Sequence, residues 1–149
     1  MPEHKTHLVI GLLVYLACMY LLLFFGPIAW PRKGELLAYT LIGALFPDID
    51  TKSKIQRMIY VAFLLLLLFL AYARQYSAAT AVGVLACLPL IVRHRGLFHS
   101  RLFLGALGAI AVGGTYLYTP SYTGIMACNV IFFLTGAFSH LIADRRIRW

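Results

Sequence analysis

A nine-residue polar stretch, RHRGLFHSR at residues 93–101, separates two long apolar runs in the second half of the chain. It contains three arginines and two histidines, His94 and His99, and Gly96 lets the backbone turn between the two histidines. Ionisable side chains beside hydrocarbon are costly, and they usually have a function when they occur in membrane proteins. The stretch is therefore a candidate functional site, provided that its neighbours are membrane segments.

The composition predicts a membrane protein. The 149 residues are 62% hydrophobic and 12% charged, and the mean hydropathy is +0.85. A soluble domain has about a quarter of its residues charged. The apolar residues also occur in blocks, without the three-and-four spacing of a soluble amphipathic helix, which excludes a soluble helical bundle. No repeat or linker is visible, so we predict one domain over residues 1–149.

Six apolar segments predict an all-α, polytopic transmembrane bundle of about six short helices. A full crossing takes about 20 residues, so the second, third and fourth segments are short. The second, residues 35–46, could instead be a re-entrant helix. The first lacks a small-residue cleavage site and is expected to be a retained span. The segments cover residues 8–25, 35–46, 58–72, 78–92, 102–118 and 124–142.

The basic residues predict the orientation. The net charge is +8, and six crossings would place ten of the 13 basic residues on one side, leaving only Arg32, Lys33 and Arg74 on the other. An excess of lysine and arginine marks the cytoplasmic side of membrane proteins, so both termini are expected there. The positive charge is thus explained without nucleic-acid binding. The cysteines (Cys18, Cys87 and Cys128) lie in apolar runs, and we expect neither disulfides nor metal ligation from them.

The same layout collects seven ionisable residues on the cytoplasmic side. Pro47 ends the second segment, and two aspartates follow it with i, i+2 spacing. In the last segment a histidine and an aspartate are one helical turn apart, which is a usual way for a helix to offer two metal ligands. The set is His7, Asp48, Asp50, His94, His99, His140 and Asp144.

Each of these residues also has an ordinary explanation. A single interfacial histidine can be a hydrogen-bonded structural residue, and the two aspartates could cap the following turn and offset Lys52 and Lys54. Arg93, Arg95 and Arg101 could anchor the protein to anionic headgroups. The occurrence of all seven histidines and aspartates on one side, in a chain poor in acids, nevertheless favours a metal site. Seven imidazole and carboxylate ligands suit two divalent ions, and mixed ligands of this kind favour Zn, Mn or Fe.

Four stretches resemble the YdjM-like family of membrane-bound proteins, described as metal-dependent hydrolases of the bacterial inner membrane and as LexA-binding. They are TH at 6–7 with Gly11 after it, GALFPDID at 43–50, HRGLFHS at 94–100 and GAFSHLIAD at 136–144. The resemblance implies that the same seven residues hold the metal. The sequence departs from the family pattern at Thr51, where histidine is common. The final HxxxD also resembles, more distantly, the HxxxE of zinc-dependent phospholipases C.

These features predict hydrolysis of a phosphoester in a lipid or lipid-linked substrate at the cytoplasmic face, with anionic phospholipid headgroups nearby. Two metal ions would activate water, Asp50 or Asp144 would accept its proton, and Arg95 would bind the substrate phosphate. One alternative is a non-catalytic scaffold or regulator-binding protein. Another is a divalent-cation transporter, which is disfavoured because the far side has Glu35 as its one acidic residue.

Overall fold

The computed structural model describes residues 4–50, 54–91 and 97–146, and these residues form six α-helices without any β-strand. Short 3-10 helices occupy Leu23–Phe25, Phe46–Asp50, Leu97–His99 and Pro120–Tyr122. The predicted all-α fold is confirmed. The helices are α1 (His4–Leu22), α2 (Trp30–Leu45), α3 (Lys54–Tyr72), α4 (Tyr76–Ile91), α5 (Arg101–Tyr118) and α6 (Thr123–Arg146).

Local sequence signals explain where two of the helices begin. α2 starts at Trp30, ahead of the segment predicted from residue 35, with Ala29 as its N-cap and Pro31 in the first turn. Proline is favoured there because its missing N–H has no partner to lose and its backbone is already helical. α5 starts after Ser100, whose Oγ accepts a hydrogen bond from the backbone N–H of Phe103 at 3.4 Å.

Three helical stretches in the described ranges are long and apolar enough to cross a membrane by length and composition. They are Thr6–Phe25, Arg101–Tyr118 and Pro120–Asp144. Gln56–Tyr72 is a shorter apolar helix. The number of crossings, including whether the segment at 35–46 spans, therefore stays a prediction.

The chain divides into two compact units. One, here called the four-helix unit, comprises Met1–Pro47 and His99–Trp149 and contains α1, α2, α5 and α6. The other, Asp48–Phe98, contains α3 and α4 as a pair, in which the Tyr60 hydroxyl donates a hydrogen bond to the Ala86 carbonyl at 3.1 Å.

Glycines allow α2 and α6 to approach each other closely in the four-helix unit. A Cβ atom added to Gly43 would lie 2.0 Å from the backbone oxygen of Phe133, and one added to Gly136 would lie 2.1 Å from that of Thr40. Side chains at these two positions would force the helices apart. Small residues at helix contacts are a general way of packing helices closely in membranes. The contact fixes α6 against the last two turns of α2.

Candidate metal site

Four ionisable side chains from three parts of the chain meet at one end of the four-helix unit. His7 lies in the first turn of α1, His99 lies two residues before the start of α5, and His140 and Asp144 lie in the last turns of α6. Because α1 and α5 begin where α2 and α6 end, residues distant in sequence come together here. The predicted meeting of these four residues is found in the structure.

The Asp144 carboxylate is the centre of the cluster. Its Oδ1 lies 3.7 Å from His7 Nε2, and its Oδ2 lies 3.7 Å from His99 Nε2 and 3.8 Å from His140 Nε2. These separations are longer than hydrogen bonds, which are about 2.7 to 3.2 Å for N–H···O. The exposed fraction of the side chain is 0% for His140, 2% for His7, 13% for His99 and 22% for Asp144, so the carboxylate is the most accessible of the four.

The histidine rings are packed against one another. The rings of His7 and His140 are stacked, with centroids 3.9 Å apart and planes inclined by 23°. The ring of His99 meets that of His140 edge to face at 5.8 Å. The stacking depends on close approach of α1 to α2, because a Cβ added to Gly11, one turn after His7, would lie 2.9 Å from the Ala44 Cβ. Glycine at this position therefore lets His7 reach the cluster.

A backbone contact orients His140. Its Nδ1 lies 2.7 Å from the carbonyl oxygen of Ala44. Since a carbonyl can only accept, Nδ1 is the donor, and Nε2 of the neutral ring carries a lone pair on the side of Asp144. The carbonyl belongs to the last turn of α2, where helix carbonyls lack intrahelical partners, and Pro47 three residues later has no N–H to offer. Metal-binding histidines commonly donate their second ring N–H in this way.

The donor atoms suit a divalent transition metal. The ligand atoms of His7, His140 and Asp144 all lie within 4.8 Å of one another. Two ligands of a tetrahedral zinc, each about 2.1 Å from the metal, are separated by about 3.4 Å. The Nε2–carboxylate separations of 3.7–3.8 Å are closer to that value than to a hydrogen bond. In addition, His7 Nδ1 is buried and has no hydrogen-bond partner among the described residues.

Comparison with known proteins identifies the family. The family model described as YdjM inner membrane protein matches residues 1–146. The chain belongs to the YdjM inner membrane protein family. No curated protein and no solved structure matches the chain. The match confirms the resemblance seen in the motifs and the inner-membrane location.

The remaining predicted site residues of this YdjM family member are placed only in part. Asp48 lies in the 3-10 helix Phe46–Asp50 that follows α2, and it belongs to the second unit. Asp50 lies in the same 3-10 helix, but its side chain is outside the described residues. Arg93, His94 and Arg95 also lie outside the described residues, as does Thr51. Their roles stay predictions, and so do both metal ions.

A polar network that the sequence did not predict lies at the opposite end of the four-helix unit. Arg32 Nη1 donates to Glu35 Oε2 at 2.5 Å, and its Nη2 donates to the Ile125 carbonyl at 3.1 Å. Asn129 Nδ2 donates to Glu35 Oε1 at 2.6 Å. The i, i+3 spacing of Arg32 and Glu35 is a local signal for an ion pair. Asn129, 94 positions from Glu35, has no such signal.

Proposed function

We propose that this inner membrane protein is a metal-dependent hydrolase that cleaves a phosphoester of a lipid or lipid-linked substrate at the cytoplasmic face. The observation that best supports the proposal is the convergence of three histidine Nε2 atoms on one carboxylate at 3.7–3.8 Å. Buried imidazoles around a partly exposed carboxylate are typical of metal-ligand sets that retain access to substrate.

His7, His140 and Asp144, whose ligand atoms lie within 4.8 Å of one another, would hold one divalent ion of Zn, Mn or Fe. His99, whose Nε2 lies 3.7 Å from Asp144 Oδ2, is a further candidate ligand from the sequence. When bound, such an ion supplies Lewis acidity toward water and toward a phosphoryl oxygen. The Ala44 carbonyl holds the His140 ring with its lone pair toward Asp144. Asp144 has two oxygens and is the most exposed of the four, so an oxygen not engaged as ligand can accept a proton from water.

Residues predicted from the sequence alone would supply a second ion site, a base and a phosphate-binding group. Asp48, Asp50 and His94 would hold a second ion, Asp50 is the other candidate base, and the planar fork of Arg95 would bind the substrate phosphate. The cluster lies at the ends of helices. The distribution of basic residues predicts that these helix ends lie at the level of the cytoplasmic headgroups. That location favours an amphiphilic substrate over a soluble one.

The test is metal analysis followed by an activity assay on the full chain purified in detergent. We expect at least one Zn, Mn or Fe per chain after growth in metal-replete medium, and phosphoester cleavage that a chelator abolishes and metal restores. His140→Ala should lose both metal and activity. Gln substitution of Glu35, in the opposite polar network, is the matched control and should keep both.

Two results would overturn the proposal. The first is metal-replete protein without stoichiometric metal. The second is metal-loaded protein that cleaves neither lipid nor lipid-linked phosphoesters, which would favour a scaffold or regulator-binding role.

A further inference from the structure

A cleft lies between the start of α5 and the end of α6 in the four-helix unit. Its volume is about 270 Å³, and the described residues that line it are Arg101, Phe138, Leu141 and Ile142. Three of these side chains are apolar and one is cationic. Since α5 begins and α6 ends at the candidate metal site, the cleft lies at the same end of the unit as the His–Asp cluster.

The apolar wall of the cleft adjoins the helix face that carries the cluster. Phe138, Leu141 and Ile142 have i, i+3 and i+4 spacing, so they form one face of α6. Leu141 is also three residues before Asp144 and therefore neighbours it on the helix surface. Leu141 is buried, whereas Ile142 is 53% exposed, so the cleft has a packed floor and an open edge.

Arg101 supplies a cation at this cleft. It is the first residue of α5, its side chain is exposed, and it follows His99 by two positions. Among the residues that the structure describes, no carboxylate pairs with it. A guanidinium binds phosphate through two parallel N–H groups, and it suits phosphate recognition better than a lysine does.

We propose that this cleft binds one acyl chain and the phosphate of an anionic lipid, with the phosphate at Arg101 and the chain along Phe138, Leu141 and Ile142. The substrate class is then a lipid with an anionic phosphate head, and soluble phosphoesters are excluded. The assignment as substrate rests on the proposed function, in which Arg95 would bind the same phosphate, whereas the lipid binding at Arg101 does not.

Charge and size support this occupant over others. A guanidinium beside an apolar wall complements an anionic head joined to a hydrocarbon chain. A zwitterionic lipid would bring its own cation toward Arg101 and lose part of that attraction. The volume lies just below the range of about 300 to 1,000 Å³ of whole small-molecule pockets, so the cleft holds one chain segment and leaves the rest of the lipid in the bilayer.

A ligand series on the wild-type full chain in detergent tests the proposal. The ligands are lysophosphatidate with one long acyl chain, glycerol phosphate with the same head and no chain, and lysophosphatidylcholine with the same chain and a zwitterionic head. Binding is measured by native mass spectrometry. We expect lysophosphatidate to bind at least about tenfold more tightly than either of the other two, which corresponds to about 1.4 kcal/mol.

Matched variants test whether lysophosphatidate binds in this cleft. Arg101→Gln should remove the preference for lysophosphatidate over lysophosphatidylcholine. Ile142→Trp should fill the open edge of the cleft and weaken lysophosphatidate binding by about tenfold, or about 1.4 kcal/mol. Ile131→Trp is the control, because Ile131 is also on α6, is 59% exposed and does not line the cleft.

Equal affinity for the two lysolipids, or equal binding by the two tryptophan variants, would overturn the proposal and identify the cleft as a groove filled by bulk lipid.

Failure of the lipid-binding proposal can be distinguished from failure of the hydrolase proposal. Lysophosphatidate binding that depends on Arg101, in a protein that takes up no metal under metal-replete conditions, supports the cleft and refutes the hydrolase. Cleavage of a long-chain substrate by Ile142→Trp with undiminished kcat/KM supports the hydrolase and refutes the cleft.

Discussion

The two ends of the four-helix unit carry polar clusters of opposite kinds. At the end where α2 begins, Arg32 and Asn129 donate to Glu35 at 2.5 and 2.6 Å, so donors meet an acceptor at hydrogen-bond distance. At the other end, three histidine Nε2 atoms surround the Asp144 carboxylate at 3.7–3.8 Å. The first cluster is held together by its own charge-assisted hydrogen bonds. In the second, the ligand atoms lie too far apart for hydrogen bonds with one another.

The difference distinguishes a structural network from the proposed metal site. Polar groups inside a protein are costly unless their charges and hydrogen bonds are matched. Arg32, Glu35 and Asn129 match one another and thereby join α2 to α6. At the His–Asp cluster, His140 Nδ1 is satisfied by a backbone carbonyl, which leaves its Nε2 directed to the side of Asp144. A cation shared by these atoms would be held by the charge of the carboxylate and by imidazole lone pairs.

The largest expected effect is that of Asp144→Asn on metal binding. The change keeps the shape of the side chain and removes the charge that faces all three histidines. Removing a group that only hydrogen-bonds to a metal ligand lowers metal affinity by about 10- to 100-fold. Because Asp144 would itself be a ligand, we expect metal affinity to fall by at least about 100-fold. Metal titration of the purified protein measures the loss, and thermal unfolding without metal serves as the folding control. Wild-type metal affinity in this variant would mean that the His–Asp cluster is no more a metal site than the Arg32–Glu35–Asn129 network is.

The smaller expected effect is that of Glu35→Gln on stability. The amide keeps part of the hydrogen bonding but loses the charge that faces Arg32. Hydrogen bonds to a charged group contribute about 1.5 to 3 kcal/mol, and we expect a loss of about 1 kcal/mol because the Glu35 side chain is 41% exposed. Denaturant or thermal unfolding of the metal-free protein checks this value. Metal affinity should not change, and a parallel loss of metal would mean that the two ends are coupled.

The sequence predicted most of the helical fold, because apolar blocks report directly on membrane helices. It placed the start of α2 too late, since Arg32 and Lys33 interrupt the hydropathy of the first turn although Pro31 favours a helix start there. The division into two compact units had no counterpart in the composition, which shows no linker.

The meeting of His7, His99, His140 and Asp144 was predictable from topology. The i, i+4 spacing puts His140 and Asp144 on one helix face, and the charge distribution puts all four residues on one side. The Ala44 carbonyl was not predictable, because a backbone contact between α2 and α6 depends on how closely Gly43 and Gly136 let the helices approach.

Anomalous scattering at the absorption edges of Zn, Mn and Fe from crystals of metal-loaded protein tests the proposed metal site most directly. We expect a peak within about 2.0 to 2.2 Å of a histidine Nε2 and a carboxylate oxygen of Asp144, with His7 and His140 among its ligands. Metal-replete crystals without a peak at this cluster, or with a peak bound only by residues elsewhere, would contradict it.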